Sequence, residues 1–125
     1  DIGGFSSVFE HSESLTSLNE VYKGNRLDYP GTPFTRNGTK YYAKIIFSLD
    51  NPEDLIIPYK ENYQGVDPFT GRGFTGAQEI ILPEYMLTEN HVFQDGNMIN
   101  VYNRTGEVVQ QFIFDGFNNR WKLIK

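Results

Sequence analysis

The sequence predicts a β-rich domain, all-β or α+β, made mainly of antiparallel strands with one short N-terminal helix and a C-terminal β-meander. Three observations predict it. Aromatic and β-branched runs bounded by Gly, Asn, Asp and Pro fill the second half of the chain. One early segment alone repeats apolar residues at helical spacing. Finally, 125 residues with 10 Phe, 8 Tyr and 1 Trp hold enough large apolar surface for one core, so residues 1–125 read as a single domain.

The helix comes first. Ser12 or Ser14 can cap it, Leu15, Leu18, Val21 and Tyr22 follow at helical spacing, and Gly24 closes it. Residues 24–40 carry Pro30, Gly31, Pro33, Asn37 and Gly38, a density of breakers that describes a connecting loop anchored to the core by Phe34. Residues 41–49 contain no breaker and end at Asp50-Asn51-Pro52, which predicts a mostly buried strand. Leu55, Ile56 and Ile57 make a shorter apolar run ended by Pro58, and Ile80, Ile81 and Leu82 another ended by Pro83.

The C-terminal third is the most regular. Asp95-Gly96 is a two-residue turn signal between 92–94 and 98–102, which predicts a hairpin, because Asp-Gly tolerates positive φ. Residues 103–106 form the next turn, 108–114 a strand, 115–119 the last turn and 120–124 a final strand, giving a four-strand meander. Strict alternation puts Val108, Gln110, Phe112 and Phe114 on one face and Val109, Gln111 and Ile113 on the other. Both faces are apolar, so packing is expected on each. Trp121, between Arg120 and Lys122, is expected to face the core.

Charge and composition narrow the function classes. The net charge is −5 and no basic stretch stands out, which argues against a nucleic-acid partner. No apolar run approaches the length of a transmembrane segment. The absence of cysteine removes disulfides, thiolate nucleophiles and Cys-based zinc sites. The polar, Gly-rich start at Asp1 resembles a mature end behind a removed signal, so export (periplasmic, cell-surface or secreted) is the expectation. Asn37-Gly38-Thr39 and Asn103-Arg104-Thr105 fit the glycosylation pattern but read as turns.

Residues 59–76 hold the most unusual pattern, Phe69-Thr70-Gly71-Arg72-Gly73-Phe74-Thr75-Gly76, with Phe-Thr-Gly twice and Arg72 between two glycines. The segment lacks the Lys-Ser/Thr ending of a phosphate-binding P-loop. Its aromatics, Tyr59, Tyr63, Phe69 and Phe74, together with Arg72, have the composition of a recognition surface for a protein or a glycan. A loop pinned by its own phenylalanines accounts for the same residues. His11 and His91, the two histidines, lack the flanking pattern of a catalytic triad and read as surface or capping residues. Asp50, Glu53 and Asp54 crowd one turn, but their spacing does not fit a calcium loop.

The ending, Val108-Val109-Gln110-Gln111-Phe112-Ile113-Phe114 and then Asn119-Arg120-Trp121-Lys122-Leu123-Ile124, resembles the last hairpin of small NTF2-like domains, over less than a fifth of the chain. Residues 95–114 also resemble one β-propeller blade, although 125 residues are too few to close a propeller of such blades. Neither resemblance transfers functional residues. The expected function is therefore a non-catalytic binding module, with no catalytic residues, cofactor or metal, that recognises a protein or glycan through 59–76. A small-ligand pocket protein or enzyme of NTF2-like shape is the first alternative, and a structural or assembly subunit the second. The sequence does not set the oligomeric state.

Overall fold

The computed structural model describes residues 5–29, 31–35, 37–57, 74–75, 77 and 82–125. The described residues are β-rich with two short helices. In chain order the elements are β1 (Phe5–Ser6), α1 (Phe9–Ser12), α2 (Leu18–Gly24), β2 (Tyr41–Ile46), a 3-10 turn (Pro52–Asp54), β3 (Leu55–Ile56), β4 (Tyr85–Leu87), β5 (Met98–Asn103), β6 (Val108–Asp115) and β7 (Arg120–Leu123). The strands make two antiparallel sheets, a four-stranded one in the order β2-β5-β6-β7 and a small one in the order β1-β4-β3.

The helix begins later than its apolar spacing predicts. Ser17 is the N-cap, and its hydroxyl accepts from the Glu20 N–H at 3.2 Å while the Glu20 carboxylate accepts from the Thr16 N–H at 3.1 Å. Ser17-Leu18-Asn19-Glu20 is thus a variant of the reciprocal Ser-x-x-Glu cap, with the Glu20 carboxylate on the N–H one residue ahead of the cap. Leu15 lies ahead of α2, buried all the same, and Asn25 rather than Gly24 caps the far end. The single helix expected is joined by α1, one turn long and without a buried residue.

The meander also differs in one strand. Residues 98–123 form three of its strands as expected, but 92–94 pair with none, and the fourth position belongs to β2. The Asp95-Gly96 turn exists, with φ +87° at Gly96, yet it folds onto the end of β6 instead of closing a hairpin with 92–94. Gly96 N–H donates to the Phe114 carbonyl at 3.0 Å, Phe114 N–H to the Asn97 carbonyl at 2.8 Å and Gly116 N–H to Asp95 Oδ1 at 2.9 Å. The turn chemistry was local, whereas its partner was chosen by tertiary pairing.

Register fixes two unlike faces. Tyr42 opposes Tyr102, Lys44 opposes Asn100, and Ile46 opposes Met98. From β5 to β6, Asn100 opposes Gln111, but Tyr102 opposes Val108, so Val109 is an extra residue in a bulge. The bulge breaks the strict alternation expected along 108–114 and carries Val108 to the same face as Gln111 and Ile113. That inner face meets the helical layer, where Leu15, Leu18, Val21, Tyr42 and Leu82 make the core, with Leu27 and Tyr102 packed against it. Tyr42 and Tyr102 stack with ring centroids 5.1 Å apart. Lys44 crosses to the layer, donating to the Leu15 carbonyl at 2.8 Å, and Asn100 accepts from Gln111 Nε2 at 2.8 Å.

Trp121 is half-buried and points to the opposite face, not to the main core. It forms a separate edge-to-face cluster with Phe93 and Phe114, at centroid distances of 5.0 and 5.1 Å. Arg120 and Lys122 point the other way, and Lys122 Nζ reaches Asp115 at 2.8 Å. Asp115 organises the last turn, accepting from Phe117 N–H, Asn118 N–H and Asn118 Nδ2. The Asn118 amide and then Lys122 hold its carboxyl well below the usual carboxylate range.

The turn after β5 joins the layers. Asn103 Oδ1 accepts from the N–H groups of Thr105 and Glu107, at 3.1 and 2.9 Å, which shapes the reversal. Arg104 offers its carbonyl to the Leu18 N–H at 3.0 Å and its guanidinium to the Thr39 carbonyl. Gly106 has φ +92° and sits so close to the chain at Thr16 that a Cβ would overlap the Thr16 carbonyl. Gly96 has a similar φ but open space around it. Gly96→Ala is therefore expected to cost about 1–2 kcal/mol of backbone strain alone, and Gly106→Ala roughly 3 kcal/mol or more, because strain and steric overlap add. Urea denaturation of the two variants side by side checks the order.

Candidate functional site

Two features of the described residues have the makings of a site. The first is the outer face of the four-stranded sheet. By register it carries Tyr41, Ala43 and Ile45 from β2, Ile99, Val101 and Asn103 from β5, Gln110, Phe112 and Phe114 from β6, and Trp121 and Leu123 from β7. None of these side chains is charged, on a chain in which 22% of residues are. Tyr41 is 58% exposed, Ile45 46% and Leu123 59%, while Ile99, Val101 and Phe112 are half-buried between them. Phe93, Phe114 and Trp121 close one end with a packed aromatic cluster. Four strands at this length give a patch of roughly 14 Å by 17 Å. Among the described residues, the packing expected on both faces is thus found on one, with the aromatic cluster on the other.

The second feature is a group of three side chains beside the small sheet. Leu55 opposes Leu87, and the Thr88 N–H donates to the Asp54 carbonyl at 2.9 Å. This register delivers Glu89 and His91, which follow β4, to Asp54 at the end of the 3-10 turn. One donor atom from each lies within 4.8 Å of the others. His91 Nε2 is 3.7 Å from Asp54 Oδ2, beyond hydrogen-bond range, and is screened from solvent with no hydrogen-bond partner. His91 is therefore not the surface or capping residue expected, whereas His11 is exposed on α1. The acidic turn also divides: Asp50 Oδ2 accepts from Gln94 Nε2 at 3.0 Å, while Asp54 turns to the histidine.

The residues singled out by sequence fall mostly elsewhere. Tyr59, Tyr63, Phe69 and Arg72 lie outside the described residues. Phe74 is described, half-buried, and makes a β-bridge with Pro83. Thr75, next to it, is buried, donates its hydroxyl to the Gly24 carbonyl and its N–H to the Leu82 carbonyl at 3.1 Å. Thr75 thus fastens this end of the segment to the Gly24 carbonyl at the end of α2 and to Leu82 of the core. The sequence reasoning overlooked Glu89 and the outer sheet face. The alternation of Tyr41, Ala43 and Ile45 signalled the face, but an apolar strand position does not say which side is covered.

Glu84, just ahead of β4, is pushed up to about 7 by burial. Its folded form holds the proton more tightly than the unfolded chain, which ionises near the ordinary value of 4.5. Below that value the group has no effect on the pH dependence. As pH rises to about 7 the unfolded chain alone loses the proton and stability falls, and above 7 the loss is constant. With allowance for the solvent that reaches it, the fall is expected to be about 1–2 kcal/mol. Urea midpoints at several pH values should show this fall in the wild type and its absence in Glu84→Gln.

The chain matches no protein-family model, no curated protein and no solved structure. The NTF2-like resemblance therefore stays confined to the β6–β7 hairpin, which forms, while the helices beside the sheet are four and seven residues long.

Proposed function

We propose that the chain is a non-catalytic binding module that docks a protein partner on the outer face of its four-stranded sheet. The observation that carries this reading is the run of exposed apolar side chains without a single charge on one sheet face, in a chain of net charge −5. An uncovered apolar patch of this kind is costly in water and is the usual mark of an interaction surface. Its exposed members Ala43, Ile45 and Leu123 are aliphatic, and Tyr41 is the one well-exposed ring. Sugars stack on aromatic planes, so the patch suits a protein better than a glycan. The aromatic and arginine residues of 59–76 are the second proposed contact.

The test uses Ile45→Glu with Leu123→Lys, both exposed, beside Arg72→Ala with Phe74→Ala. A partner captured by the wild type from its native extract, and reconstituted as a one-to-one complex from purified components, is expected to lose about 2 kcal/mol or more of affinity to the face variant. The melting temperature of that variant should stay near the wild type. Binding lost only in the second pair moves the contact to 59–76, and binding kept by both overturns the reading. A concentration-dependent oligomer that the face variant dissolves makes the chain an assembly subunit instead.

A further inference from the structure

We infer that Asp54, Glu89 and His91 form a binding site for a divalent transition-metal ion of the zinc class, a site independent of the sheet face. The donor set points there first. An imidazole with two carboxylates is a nitrogen–oxygen set suited to zinc and its neighbours, whereas calcium and magnesium take oxygen donors. Geometry agrees. Metal–ligand bonds of about 2.0–2.2 Å leave the donor atoms of one ion about 3–4 Å apart, and His91 Nε2 stands 3.7 Å from Asp54 Oδ2. That separation is too long for the hydrogen bond that a simple His–Asp pair would make.

The second observation is independent of the spacing. His91 Nε2 is shut off from solvent and has no hydrogen-bond partner. A buried ring nitrogen without a partner loses its hydration and gains nothing in return, unless something binds it. A cation between it and Asp54 supplies that partner. Glu89 is the exposed member, able to swing in from solvent, and three protein ligands leave further coordination positions to water. The backbone bond between Thr88 and Asp54 holds the two ligand-bearing segments side by side before any ion arrives, so binding orders little new chain.

Isothermal titration with zinc chloride on the full chain, with calcium and magnesium chlorides as controls, tests the site. One equivalent of zinc is expected to bind and to raise the melting temperature, while calcium and magnesium do neither. His91→Ala should weaken zinc binding by at least about 100-fold and Glu89→Gln by at least about tenfold, since even the outer partners of metal ligands are worth about 10- to 100-fold. Glu89 is exposed, so its variant keeps the fold even where His91→Ala does not. His11→Ala, which removes the other histidine, should leave binding unchanged. With cobalt in place of zinc, visible absorption bands should appear in the wild type and vanish in His91→Ala. Absence of one-equivalent binding, or binding equally strong in Glu89→Gln and His91→Ala, or binding lost in His11→Ala, overturns the site.

Discussion

The seat of the 103–106 turn against the chain entering α2 is the contact on which the rest of the structure depends. A helix of seven residues does not hold itself together in water, because nucleation costs more than so few hydrogen bonds return. Its start must be fixed from outside. The Arg104 carbonyl takes up the Leu18 N–H, Glu20 takes up the Thr16 N–H, and Gly106 lets the two backbones touch. Arg104 also reaches the Thr39 carbonyl just before β2. One turn therefore positions the helix, the edge strand and the central hairpin at once, and Leu15, Leu18 and Val21 land on Tyr42 and Tyr102 as a consequence.

The bulge at Val109 decides what each sheet face does. Without it, the pairing that sets Gln110 opposite Val101 would continue with Val109 opposite Tyr102 under the helical layer, and Val108 would turn to the outer face. The extra residue sends Val108 inward and leaves Gln110 on the outer face. Farther along, Asn100 and Gln111 do meet under the layer, and they satisfy each other there. The apolar residues left over gather on the outer side, where no layer of the described residues covers them. The proposed docking surface is thus a by-product of specifying the core on the other side of the sheet.

The meander was legible because its signals are local: Asn103 builds its turn with its own side chain, Asp115 does the same, and alternating apolar residues mark the strands between. The Ser17–Glu20 cap was missed in favour of Ser12 or Ser14, because the apolar spacing from Leu15 drew the helix boundary forward. What the sequence could not show were choices made between distant segments. Nothing near Asp95 says that 92–94 will leave the sheet and that 41–46, half the chain away, will take the place beside β5. The Asp54 group is of the same kind, because its members lie 35 and 37 positions apart from Asp54 and meet only through the Leu55–Leu87 register. Trp121 was read by strand parity alone, and parity gives a side without saying which side is the core.

The two inferred contacts bear differently on stability. A partner on the outer face covers apolar side chains of the sheet with the longest strands and the fullest ladder, so it stabilises what is already the firmest part. The small sheet has strands of two and three residues, too short to persist without further contacts. A ligand that binds only the folded arrangement shifts the balance by mass action, and at Asp54, Glu89 and His91 that shift falls on β3 and on the chain leaving β4. Local opening of this sheet separates the ligands before the main core is disturbed. An ion held there consequently acts as a clasp on the least stable pairing of the described structure, and its effect is greatest on the opening of that sheet rather than on global unfolding.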